Sequence, residues 1–347
     1  MRLYQTIESG AWLDICVDTE ALTIAVSGEE TGSWGPYASW DALCDAYASV
    51  FEAIVAPHGG AEELDATPMD LRAVRAREER RARVVMDRST WDRRWERARR
   101  LLFDTPLGDD VRKRVPKYHR EDVDLTPEAL ADTLTYAIAI ETGDEGSAPI
   151  GGSKLGGLPD LPPDAEWPVV EGHATALLVQ LDFAELARVD ASQRVRGEGV
   201  FQLFANAYGH GVVRFWNPGT LERRACTTPP QYLEDWLTER PIAFVPAFYF
   251  QQTGDTGGPF AVTRALPEGL RSELSNALGG AVPSECFGGN RIFGGDPVDW
   301  QAMGQSYLSE ELFCQIVFGE GHVSVGVHEA DLWTHRFEDA VVGYCGT

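Results

Sequence analysis

The chain has 347 residues, 44% hydrophobic and 10% aromatic, enough apolar material for roughly two domains of 150 residues each and incompatible with global disorder. Its 30 Lys and Arg against 54 Asp and Glu leave a formal charge of −24. Most of such a surface repels phosphate backbones and anionic membranes. It suits a basic partner protein or a cationic ligand, besides keeping the chain soluble.

The six cysteines, Cys16, Cys44, Cys226, Cys286, Cys314 and Cys345, form no CxxC pair. Neither a disulfide framework nor a zinc site is expected, and no other metal or cofactor is implied. Met1–Thr6 lacks the apolar core of a signal peptide, and no apolar run approaches the ~20 residues of a membrane span. The expected location is the cytoplasm.

Residues 1–60 read as a small α+β unit. Leu3–Ile7, Trp12–Val17 and Leu22–Val26 are short, β-branched or aromatic stretches that predict strands. Gly32–Pro36 predicts a turn. Ser39 offers an N-cap to a helix from Trp40 to Val55, with Leu43, Tyr47, Phe51 and Ile54 at helical spacing. Pro57, Gly59 and Gly60 stop it. Three strands followed by a helix, with Trp34-Gly35 in the turn, resemble a WGR domain, a module often found with nucleic-acid enzymes. Pro36 stands where that motif has Arg, and no function is carried across.

Residues 61–148 read as a helical, Arg-rich connecting region. Between Arg72 and Arg120 lie 17 of the 30 basic residues against 8 acids, a local charge of +9 that leaves −33 on the other 298 residues. Such an arm could neutralise phosphates, with Trp91 and Trp95 as stacking surfaces. Arg also suits pairing with carboxylates, which the rest of the chain supplies in excess, and Trp91, Trp95 and Leu102 recur at helical spacing as a core stripe would. Thr126-Pro127-Glu128 predicts the start of a helix running to about Ile140, and Gly143–Ser147 a linker.

Residues 149–347 change texture, to short apolar strands broken by Gly and Pro. Leu155-Gly156-Gly157-Leu158-Pro159 is followed by Leu178-Val179-Gln180-Leu181. Phe293-Gly294-Gly295-Asp296-Pro297 is followed by Phe313-Cys314-Gln315-Ile316. The two Gly-Gly elements are 138 residues apart and the two glutamines 135. Each glutamine leads to a further strand, Val200–Phe204 in one half and His322–Val327 in the other. The pattern predicts an internal duplication. The glycines would supply positive φ. A Gln in an apolar strand must satisfy its amide, either by tying down a neighbouring loop or by facing a shared cleft.

With Lys154 before the first Gly-Gly, Glu166-Trp167-Pro168 after it, Trp300-Gln301 after the second and a closing Glu329-Ala330-Asp331-Leu332, this ordered set resembles the YwqG-like family of bacterial proteins over about Pro149 to Asp339. The resemblance implies a mainly antiparallel, duplicated α+β fold of unknown function, with no established reaction or cofactor. Some members of that family look like neighbours of toxin systems. The expected class is therefore α+β: a mainly antiparallel, internally duplicated C-terminal β-rich domain, preceded by a small β-β-β-α unit and charged helices.

No catalytic set stands out. Gly146–Ser153 misses a P-loop, because Gly152 occupies the Lys position. His328, Glu329, Asp331 and His335 do not have HExxH spacing, and strand alternation would divide them between two faces. Gly321–Gly326 is not a GxSxG elbow, and Cys286 has no His near it in sequence. Trp167 and Trp300, each in a Pro-containing loop, either plug the ends of the β core or, with Gln180 and Gln315, line a ligand or partner groove.

The leading expectation is a non-enzymatic soluble interaction protein, in its most concrete form an acidic inhibitor of immunity type. The alternatives are an enzyme or small-ligand binder with its site between the halves, and a nucleic-acid-associated protein acting through the Arg-rich segment.

Overall fold

The computed structural model describes residues 2–8, 12–28, 31–61, 67–84, 134–190, 192–225, 238–250, 290–293, 310–319 and 321–345. They divide between two compact units, one within the first 85 residues and one from 134 onward. No helix among them is long and apolar enough to cross a membrane.

In the first unit, strands β1 (Arg2–Glu8), β2 (Trp12–Asp18), β3 (Thr23–Gly28) and β4 (Gly32–Trp34) form an antiparallel sheet in sequence order. Period-two alternation puts Leu13, Ile15, Val17, Ile24 and Val26 in one core. Helix α1 (Trp40–Val55) covers it with Leu43, Tyr47, Val50, Phe51, Ile54 and Val55. The Ser39 hydroxyl accepts from Ala42 N (3.2 Å), as an N-cap does, and Gly59 turns left-handed beyond the last turn (φ 103°).

The expected turn at Gly32–Pro36 is partly a strand. Gly32–Trp34 pairs with Ile24–Val26. The Trp34 indole folds back over Gly32, where a Cβ would stand 2.8 Å from the ring, so the glycine serves packing rather than turning. The turn falls at Gly35 (φ 103°).

Helix α2 (Leu71–Ala82) starts at Asp70, whose carboxylate accepts from Arg72 N and Ala73 N. Its arginines meet carboxylates: Arg72 with Asp45 (2.9 Å) and Asp41 (3.6 Å), Arg75 with Glu79 (2.8 Å), Arg81 with Glu78 (2.6 Å). Residues 85–120 of the Arg-rich segment, with Trp91 and Trp95, lie outside the described residues.

The second unit is built on a ten-stranded sheet. At its centre β5 (Leu134–Thr142) and β14 (Arg240–Phe250) pair antiparallel over nine residues. On the β14 side follow β6 (Lys154–Leu155), β10 (Ala176–Asp182), β11 (Val200–Ala205) and β12 (Gly211–Trp216). On the β5 side follow β15 (Arg291–Phe293), β16 (Glu310–Phe318), β17 (Gly321–His328) and β18 (Val341–Cys345). Every pair is antiparallel. The second half of the helix expected from Thr126 to Ile140 is thus a strand. Tyr136, Ile138 and Ile140 alternate with alanines, and pairing on both sides outweighs the helix preference of Ala.

The two flanks repeat one another. β10 and β16 each carry a register shift at the residue two before the glutamine, Leu178 before Gln180 and Phe313 before Gln315. The flanks curl toward each other until β12 meets β18, where a Cβ on Gly211 would press on Val342 Cγ1 at 2.6 Å. Inside lies one core holding Val179, Leu181, Phe201 and Leu203 from the first flank and Phe313, Ile316, Val323 and Val325 from the second. Helix α3 (Phe183–Val189), capped by Asp182, sends Phe183 into its middle.

Helix α4 (Glu329–Thr334) follows β17 directly. The strand alternation expected across His328–Asp331 stops at His328, whose Nδ1 accepts from Ala330 N (3.0 Å) as the N-cap. Among the described residues no group of three or more His, Cys, Asp and Glu could hold a metal ion.

At the other end of α4, His335 packs against Phe215 (4.8 Å) and Phe183 (5.4 Å), and its Nε2–H donates to the Arg196 carbonyl (2.6 Å). Burial lowers its pKa below the ordinary value. The Arg196 charge adds to that, and the hydrogen bond to the carbonyl opposes it. Between the folded value and the unfolded one near ~6.5, the unfolded chain holds a proton that the folded chain does not, so stability falls as pH falls through that window. Urea midpoints should decline as pH falls from about 6.5 toward the lowered folded value, and His335→Asn, which tolerates the left-handed backbone there (φ 57°), should flatten that slope. Equal slopes for the two proteins would refute the assignment.

Candidate functional site

The residues of interest form a row across the first flank. Lys154 on β6, Gln180 on β10 and Gln202 on β11 stand directly opposite one another, so their side chains share a face of the sheet. All three are fully buried. Such a row is tolerable only if each polar group is paired, and the segment after Gly156-Gly157 supplies the pairing.

Gln180 uses its whole amide. Its Oε1 accepts from Asp160 N (3.0 Å) and Gln202 Nε2 (2.7 Å), and its Nε2 donates to Gly152 O (2.9 Å) and Asp160 Oδ2 (2.7 Å). Asp160, on the two-residue strand β7 (Asp160–Leu161), also takes Gly151 N (2.8 Å) on Oδ2 and Arg223 Nε (2.9 Å) on Oδ1. Arg223 comes from β13 (Glu222–Arg223), which pairs with β7.

Lys154 Nζ donates to Leu158 O (2.6 Å) and to Glu239 Oε2 (3.3 Å), and lies 3.6 Å from Asp160 Oδ2. Glu239 Oε1 accepts from Ala148 N (2.6 Å) and lies 3.3 Å from an Arg223 nitrogen. Two cations and two carboxylates therefore balance.

Burial lowers the Lys154 ammonium below its ordinary pKa, against the pull of Asp160 and Glu239. Burial works to raise Asp160. The hydrogen bonds from Arg223, Gln180 and Gly151 N, with the charge of Lys154, outweigh it and hold the carboxyl below the usual carboxylate range. The segment that resembles a P-loop thus turns two of its amides, Ala148 N and Gly151 N, onto the protein's own carboxylates.

Gly156 (φ 61°) and Gly157 (φ 74°) are both left-handed, as the Gly-Gly pair predicts. At Gly157 a Cβ would also stand 2.6 Å from Glu239 Cβ. Gly157→Ala should cost roughly 2 kcal/mol or more in chemical denaturation, because strain and displacement of Glu239 add. A cost within error of zero would mean that the turn does not hold the network.

The second flank repeats the row with Arg291 on β15, Gln315 on β16 and Ser324 on β17, opposite one another and buried. Arg291 Nη2 donates to Gln315 Oε1 (2.7 Å). Cation, glutamine and a small or amide polar residue thus recur in the same order.

Of the residues expected to line a groove, Gln180 and Gln315 lie in different flanks. They are separated by four strands, β6, β14, β5 and β15. Gln180 is spent within its own half, so of the two roles open to such a glutamine it has the loop-tying one. Trp167 packs edge-on against Phe204 (6.3 Å), with its Nε1–H on Thr175 O (3.1 Å), over the small cluster of Leu161, Leu177 and Phe204. Trp300, with Gly294, Gly295 and Cys286, lies outside the described residues. Sequence reasoning missed Asp160, Gln202, Arg223 and Glu239 as members of one cluster.

Fold and polar rows together define a duplicated, mainly antiparallel α+β domain with a self-satisfied buried network in its first half. Residues 153–227, from β6 through β13, match a family model described as a domain of unknown function (DUF1963). No curated protein matches the chain.

Proposed function

We propose that the chain is a non-enzymatic, acidic interaction protein of the YwqG-like kind, working in the cytoplasm of a bacterium and binding a basic protein, as an immunity-type inhibitor does. Its charge carries this reading: −24 overall, and −33 outside residues 72–120. A surface so charged speeds and orients encounter with a cationic partner. The ion pairs of Arg72, Arg75 and Arg81 favour an arm that serves the protein's own carboxylates over one that grips nucleic acid. The closed network around Asp160 favours a scaffold over a reaction centre.

The test is capture from host extract at low salt, identification of the bound protein, and titration of that protein in purified form. A partner of pI above about 9 whose affinity falls steeply with salt supports the reading. Retention of DNA or RNA in its place, or no partner at low salt, overturns it.

A further inference from the structure

Two hairpin tips meet on the surface of the second unit. One joins β8 (Val169–Val170) to β9 (His173–Ala174) through Glu171 (φ 53°) and Gly172 (φ 77°), a two-residue turn with both residues left-handed. A glutamate held there is uncommon. The other joins β11 to β12 through Asn206–His210. Buried Asn206 fixes it, with Oδ1 accepting from Tyr208 N (2.9 Å) and His210 N (3.1 Å), while Gly209 is pressed against Tyr344.

The tips are tied by side chains. His173 meets the Tyr208 ring edge-on (5.4 Å), Tyr208 lies 6.4 Å from the His210 ring, and His210 Nδ1 is hydrogen-bonded to the Glu171 carboxylate. Yet Tyr208 is 64% exposed and Val169, on the β8–β9 hairpin, 56%, two of the four large hydrophobic residues most exposed among those described. A tyrosine on a rigid backbone, beside an oriented carboxylate, offers a ring face and a negative charge to a cationic side chain at little ordering cost.

We infer that the paired tips, Glu171 with Tyr208 at their centre and Val169 beside them, are the docking surface for a basic partner protein, whose Arg or Lys lies on the Tyr208 ring and the Glu171 carboxylate. Charge complementarity with a chain of −24 chooses this occupant. The inference rests on the interaction reading above and adds the face through which binding occurs.

The test places a benzophenone photocrosslinker at position 208, or at exposed Ile150 as control, in the full-length chain in host extract. The crosslinked protein is identified, and the purified partner is then titrated against wild type, Tyr208→Ala, Glu171→Gln and Ile150→Ser. The expected result is one basic protein crosslinked from 208 and not from 150, an affinity loss of tenfold or more, ~10–100-fold, for Tyr208→Ala, and Ile150→Ser within about threefold of wild type. Because Tyr208 is exposed, its variant should keep the wild-type melting temperature, which separates lost contact from lost fold. A basic partner that binds Tyr208→Ala as tightly as wild type overturns the docking face and leaves the interaction reading standing. Absence of any basic partner overturns both.

Discussion

Replacing Asp160 by alanine should lower the unfolding free energy by about 3–5 kcal/mol, read from urea or guanidinium denaturation. The carboxylate sits between the buried glutamine, the buried lysine and the arginine of the first-half network. It takes hydrogen bonds from Arg223, Gln180 and Gly151 N and balances Lys154. Its removal leaves a fully buried ammonium with Glu239 as its remaining carboxylate, and a buried amide with one donor unmet. Asp160→Asn should not rescue it, because an amide NH2 turned toward Gly151 N or Gln180 Nε2 opposes a donor with a donor. Lys154→Met should cost less than Asp160→Ala, since Asp160 keeps Arg223 when Lys154 is gone. The same geometry sets an acid limit. Asp160 is held below its unfolded pKa, so its contribution is present above that value and is lost as pH falls through the depressed folded one. A loss under about 1 kcal/mol for Asp160→Ala, or the reverse order of the two variants, would remove the network from its structural role.

Phe183→Ala should cost a similar amount, about 3–5 kcal/mol, through a cavity rather than through charge. The ring is fully buried where the two flanks close. It stacks near Phe201 (6.3 Å) and meets Phe215 (5.0 Å), Phe313 (5.9 Å), Phe337 (5.7 Å) and His335 (5.4 Å). Phe313 belongs to the second flank and Phe201 to the first, so the lost contacts span both. Phe183→Leu refills most of the volume and should cost less than half as much. A Phe183→Ala protein with wild-type stability would mean that the flanks do not share this core.

The duplication was legible because it rests on residues with few substitutes. Two left-handed glycines and a glutamine amid apolar neighbours stand out in any strand. The helix α1 was legible from its cap and its stripe, Ser39 with Leu43, Tyr47, Phe51 and Ile54. The strand Leu134–Thr142 was not. Thr126-Pro127-Glu128 reads as a helix start, and Ala137 and Ala139 read as helix formers until long-range pairing with β14 and β15 is known. The network was legible only in part. Lys154 and Asp160 flank the Gly-Gly element, but Arg223 lies 63 residues from Asp160 and Glu239 lies 85 from Lys154, and no local pattern announces such partners. Nor does sequence announce that Tyr208 and Glu171, on separate hairpins, share a surface.

The central pair of strands has a consequence for how this molecule can be divided. β5 precedes the first flank in the chain but lies against β15 of the second. β14 precedes the second flank but lies against β6 of the first. Each half has lent its leading strand to the other, as two subunits do when they exchange arms, and here one polypeptide holds both. The segment matched by the family model, 153–227, contains neither lent strand. Produced alone it would leave the β14-facing side of β6 without a neighbour, an open sticky border that seeks a strand from another molecule. The chain therefore has no place between these two halves where a cut would yield two whole pieces, and growth from the N-terminus cannot complete the first half until the leading strand of the second has been made.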